Sequence, residues 1–95
     1  MIDKKSYLQK LADQLKQWDT EINELKVKAD KVKAESRMEL ISQVNELRVK
    51  KETAQNKLIQ LREAGDEAWD DIKAGLERSW TEVKGAIPKA SSGFN

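Results

Sequence analysis

From Leu8 onward, apolar residues recur at Leu8, Leu11, Leu15, Trp18, Ile22, Leu25, Ala29 and Val32, in alternating steps of three and four. That spacing puts them on one side of an α-helix and makes a heptad seam. A second seam runs through Leu40, Val44, Leu47, Ala54, Leu58 and Leu61, with Lys51 in the slot between Leu47 and Ala54. The two differ in phase by one residue, because Ala29 to Val44 is fifteen positions where two heptads make fourteen. Near Ser36 the stripe must therefore shift around the helix, or the chain must break.

Two readings of the discontinuity compete. Ser36 and Glu39 form a possible capping box in SRME, which would start a new helix after a turn at residues 34–36. Against this, KVKAESRMEL offers no Gly, Asn or Pro where a helix end would want one. The reading therefore favours one coiled-coil rod over residues 1–64, roughly 90 Å long between Lys4 and Ala64 at 1.5 Å per residue. The seams are also mirror images about position 34.5, pairing Leu8 with Leu61, Leu11 with Leu58, Ile22 with Leu47 and Leu25 with Val44. A hairpin would join these layers within one chain, whereas two straight antiparallel chains would join them by exchange. Either way Lys51 falls opposite Trp18 and must lead its ammonium out to water.

EAGDEAW interrupts the rod. Gly65 suits the residue after a helix end, Asp66 an N-cap, and Glu67, Asp70 and Asp71 the first turns of a new helix. There AWDDIKAGLERSWTEVKGAI repeats itself at eleven residues, matching Trp69, Ile72 and Leu76 with Trp80, Val83 and Ile87. At 100° per residue these six lie within about 60° of Trp69, and an eleven-residue period keeps such a stripe nearly straight. Ala68, Gly75, Ser79 and Ala86 flank it as a ridge of small residues open to close approach by another backbone. The expectation is an amphipathic helix over 65–87, ended by Pro88, and a flexible tail over 88–95 containing Phe94. The fold class is all-α: a long coiled-coil helix followed by a shorter amphipathic one. The alternative is a helical hairpin or three-helix arrangement with a turn near Ser36.

Together the seams and the tryptophan stripe form the candidate interaction face: Leu8, Leu11, Leu15, Trp18, Ile22, Leu25, Leu40, Val44, Leu47, Leu58, Leu61, Trp69, Ile72, Leu76, Trp80, Val83 and Ile87. So long an apolar surface requires a partner, within the chain or outside it. With 38% hydrophobic and 37% charged residues in 95, any core is thin. Eighteen Lys and Arg against seventeen Asp and Glu leave a formal charge of +1, which attracts neither nucleic acid nor anionic membrane in bulk. Without His or Cys the chain lacks the usual general base, thiol nucleophile and most transition-metal ligands. Asp66, Glu67, Asp70 and Asp71 could make a weak divalent-cation site, but complementing the helix dipole explains them more simply. Lys26, Lys28, Lys31 and Lys33 of KVKADKVK spread over several helical faces around Asp30, as a solvated surface does. No catalytic, cofactor-binding or metal residue is assigned, and no small-molecule substrate is expected. MIDKKSYLQK has no signal-peptide apolar region, so a cytoplasmic setting is the expectation.

The plan of YLQKLADQLKQWDTEINELKVKAD at the front and GDEAWDDIKAGLERSWTEVKGAI near the end resembles a family of small bacterial coiled-coil proteins associated with stress responses. Its most distinctive part is AWDDIKAGLERSW. The resemblance implies a non-enzymatic, cytoplasmic protein. The leading expectation is a structural or interaction module that self-associates through its coiled coil. The alternative is a peripheral membrane or lipid-binding protein, with Trp, Ile and Leu on one helical face beside Lys73 and Lys84. Asp70, Asp71, Glu77 and Glu82 on the polar side oppose an anionic lipid surface.

Overall fold

Two links of two residues each divide the chain into three helices of nearly equal length. In the computed structural model, which describes residues 3–93, α1 spans Lys4–Lys31, α2 Ala34–Glu63 and α3 Asp66–Gly93. Its extents of 51 × 18 × 17 Å are those of three helices side by side, since 28–30 residues make roughly 42–45 Å of helix. The chain therefore runs up, down and up. α2 packs against both neighbours, while the backbones of α1 and α3 approach each other closely at few points.

The polar contacts fix the directions. Lys51 reaches Asp19, and Arg48 Nη2 donates to Asn23 Oδ1 at 3.3 Å, so α1 and α2 are antiparallel and close to the register of the mirrored seams. Between α1 and α3 the partners are Lys4 with Asp66, Tyr7 with Trp69 and Trp18 with Trp80, all 62 residues apart. These two helices are parallel and in register. The core lies on the common axis and is built from Leu15, Trp18, Ile22 and Leu25 of α1, Val44, Leu47, Ala54, Leu58 and Leu61 of α2, and Leu76, Val83, Ile87 and Ala90 of α3. Each large aliphatic side chain withdrawn from water in this way contributes about 1.5–3 kcal/mol.

The continuous rod over 1–64 is not what forms; the three-helix arrangement is. The break falls at Val32 and Lys33, just before the expected turn at 34–36, and Ser36 lies inside α2 instead of capping it. No glycine is needed because neither residue turns left-handed: Val32 (φ −83°, ψ 168°) and Lys33 (φ −60°, ψ 147°) are extended, a region open to any side chain. The Val32 N–H donates to the Ala29 carbonyl at 3.4 Å, and the Lys33 carbonyl accepts from the Ser36 and Arg37 N–H groups at 3.0 Å. Ala64 repeats this geometry before α3, with φ −72° and ψ 141° and its N–H on the Leu61 carbonyl at 3.2 Å. Gly65 follows the helix end as expected but has no positive φ.

Pro88 does not end α3. Ile87 and Ala90 continue the buried stripe on either side of it, so packing holds the last turns in place while the ring faces outward. The hydrogen bond it forgoes would have gone to the carbonyl of Lys84, an exposed residue. The expected tail over 88–95 is thus helical as far as Gly93, and Phe94 lies outside the described residues. No helix among the described residues is long and apolar enough to cross a membrane.

Candidate interaction face

All seventeen residues of the expected interaction face turn inward. Leu15, Trp18, Ile22, Leu25, Leu40, Val44, Leu47, Leu58, Leu61, Leu76, Val83 and Ile87 are buried, and Leu8, Leu11, Trp69, Ile72 and Trp80 are half-buried against the core. The two seams and the tryptophan stripe thus cover one another within a single chain. The apolar surface left outside is scattered, at Val27, Met38, Val49 and Ile59, with Met38 82% exposed.

The small-residue ridge of α3 faces α2. Ser79 is buried, Gly75 and Ala86 are half-buried, and only Ala68, at the start of the helix, is exposed. The space over Gly75 is filled from α2 by the end of a lysine, with Lys57 Nζ 3.6 Å from the position a Cβ would take there. The side of α3 toward α1 is built in the opposite way, from rings. Trp18 and Trp80 meet with centroids 4.5 Å apart at 44°, and Tyr7 meets Trp69 edge-on at 6.3 Å. Two aromatic layers eleven residues apart hold α1 and α3 at a distance. They leave a shallow open cleft lined by Tyr7, Leu11, Trp80, Glu77 and Lys84.

Charges gather at the open end of this ladder. Lys4 Nζ lies 4.6 Å from the Trp69 ring centre and 2.6 Å from Asp66 Oδ1, while Lys73 Nζ lies 5.0 Å from the Tyr7 ring centre. The Lys4 hydrogen bond and charge hold the Asp66 carboxyl below its ordinary value. Partial burial, and then the Glu77 carboxylate 3.4 Å from the hydroxyl, push the Tyr7 phenol above its ordinary value. Asp66 opens α3, and its carboxylate is given to Lys4 instead of capping a helix.

The other candidates stay at the surface. Asp66, Glu67, Asp70 and Asp71 are all exposed, and no group of three potential ligands able to hold a metal ion is found among the described residues. Lys26, Lys28, Asp30, Lys31 and Lys33 are likewise exposed. Lys51, opposite Trp18, keeps only 16% of its side chain exposed, and its ammonium ends on Asp19 at the edge of the bundle. Among the described residues Ser79 is the one buried polar side chain, and no buried polar side-chain atom lacks a hydrogen-bond partner.

Tyr7 is the residue of the aromatic ladder that the seams overlooked. Its signal was present: Tyr7 precedes Trp18 by eleven residues, the interval that separates Trp69 from Trp80. No family model matches the chain, and neither a curated protein nor a solved structure matches it.

Proposed function

We propose that the chain is a non-enzymatic helical interaction module that self-associates, in keeping with the stress-protein resemblance of AWDDIKAGLERSW. The observation that supports this reading is the division of labour in the bundle. The interior is almost wholly aliphatic and aromatic, no carboxylate among the described residues is buried, and the more covered ionisable groups, Tyr7 and Lys51, are each engaged by a surface carboxylate, Glu77 and Asp19. What the molecule presents is therefore shape and surface. The seams that make the bundle are the same seams that could join two chains.

Analytical ultracentrifugation across micromolar to millimolar concentration, with circular dichroism on the same samples, tests the proposal. The expected outcome is high helicity throughout and a rise in mass with concentration. A chain that stays monomeric over the whole range removes self-association from the reading.

A further inference from the structure

The link between α1 and α2 differs from the link between α2 and α3 in a way that bears on how two chains would meet. Val32 and Lys33 are both able to join a helix, and they are flanked by Lys31, Ala34 and Glu35, which are good helix formers. Little holds them in the extended state. Lys33 makes no side-chain cap, and the one side-chain hydrogen bond at the link is the exposed donation from Arg37 Nη2 to the Val32 carbonyl at 3.2 Å. The second link contains Gly65, which disfavours helix, and Asp66 beyond it is tied to Lys4. If one link straightens, it is the first.

Straightening also satisfies groups that the turn leaves open. The turn satisfies the Ala29 and Lys33 carbonyls and the Ser36 and Arg37 N–H groups, but a helix end leaves other terminal groups without i→i−4 partners, and a fused helix supplies those. The extra residue between Ala29 and Val44 makes fifteen positions over four turns, a local unwinding that an α-helix accommodates. Near the link the bundle is unfinished as well: Val32 is only half-buried and Met38 is bare, just beyond the layer of Ala29 and Leu40.

Resting on the self-association reading, we infer that a second copy of this chain completes the bundle by exchange. Val32 and Lys33 become helical, α1 and α2 fuse into one helix over residues 4–63, and α1 of each copy packs on α2 and α3 of the other. The mirrored seams make every apolar layer of the bundle available in the same form between chains as within one. The cost of opening is confined to the link, and the two links, lying side by side at the centre of the dimer, cover Val32 and Met38.

Three variants test this. Lys33→Pro fits the closed link, because φ at 33 is −60° and Val32 before it is extended. In a fused helix the same proline breaks the centre, so dimerisation weakens by more than about a hundredfold while helicity at low concentration is kept. A chain lacking Lys33 has the opposite fate. Ala29 to Val44 becomes two whole heptads and one residue is too short a link, so it sediments as a dimer at every concentration. Asp19→Cys with Lys51→Cys, in a chain that has no other cysteine, places two thiols where α1 meets α2 for a short bis-maleimide. In the wild-type background the dimer fraction then yields links between two chains and the monomer fraction links within one. A dimer that persists unchanged in Lys33→Pro, or whose links all lie within single chains, overturns exchange and leaves self-association standing. A wild-type chain that is monomeric at every concentration overturns both. The cross-link pattern decides between exchange and surface docking even if the proline or deletion variant does not fold.

Discussion

Helix α3 meets its two neighbours through opposite chemistries. Toward α2 it presents Gly75, Ser79 and Ala86, and the two backbones approach closely along much of their length. Toward α1 it presents Trp69 and Trp80, and the backbones stay apart. The antiparallel pair gains its stability from many small contacts at short range. The parallel pair gains it from two large side chains per helix, each burying far more area than an alanine. Since α1 and α3 are not joined to each other directly, their register must come from matching layers, and the eleven-residue interval shared by Tyr7–Trp18 and Trp69–Trp80 supplies it. On this view the repeat in α3 is half of a device whose other half lies 62 residues earlier.

The contrast breaks most sharply at Trp18, which is 3% exposed and packed at a tilt against Trp80. Replacing it with alanine should cost about 3–5 kcal/mol, a large part of the 5–15 kcal/mol typical of a whole domain. Thermal denaturation of Trp18→Ala should show a fall in Tm of several times ~4–8 °C, the shift per kcal/mol for a domain of this size. The same truncation at Trp69, half-buried at the end of the ladder, should cost less. Equal losses at the two positions would mean that the rings do not act as a graded spacer.

On the other side of α3 the expected failure is overpacking. Ser79→Leu adds a branched side chain where α2 is close, so chemical denaturation should report a loss of about 1–3 kcal/mol. Gly75→Ala separates small size from glycine as such. The new Cβ meets only the flexible end of Lys57 at ordinary contact distance, and alanine holds helix better, so the variant should be more stable by about 0.5–1 kcal/mol. Destabilisation at Gly75 would place the tightest approach of α2 there instead of at Ser79.

The inward stripes were legible in the sequence because burial leaves a periodic trace. Every residue from Leu8 to Leu61 and from Trp69 to Ile87 assigned to the apolar face does point inward. Helix ends were much less legible. The link at Val32 and Lys33 uses extended backbone that any residue can adopt, so no glycine or asparagine marks it, and its traces were the one-residue slip of the seams and their mirror symmetry about position 34.5. Pro88 misled in the opposite direction, since its local preference is outweighed by burial of Ile87 and Ala90. Lys4 was illegible for a third reason: its partner lies on α3, and only the tertiary register brings the two together; Tyr7 left a trace in its eleven-residue interval to Trp18, but its contact with Trp69 did not.

The smallest effect belongs to the titratable groups at the open end of the ladder, where the two shifts act at opposite ends of the pH scale. The Tyr7 phenol is raised, chiefly by burial, so the folded chain holds that proton more tightly than the unfolded one. Its contribution is fully present below the ordinary tyrosine range near 10 and is lost as pH rises through the folded value. Tyr7→Phe should therefore flatten the alkaline limb of stability against pH and leave the neutral region little changed. Asp66 has the reverse sign. Its carboxyl is lowered by Lys4, so its contribution is present above the ordinary aspartate range near 4 and lost as pH falls through the folded value. Asp66→Asn should therefore lower stability slightly above that range and converge with the wild type in acid, and because Asp66 is fully open to water, added salt should erase the difference. An effect of Asp66→Asn at neutral pH as large as that of truncating Trp69 would show that charge, and not the aromatic layers, holds the parallel helices in register.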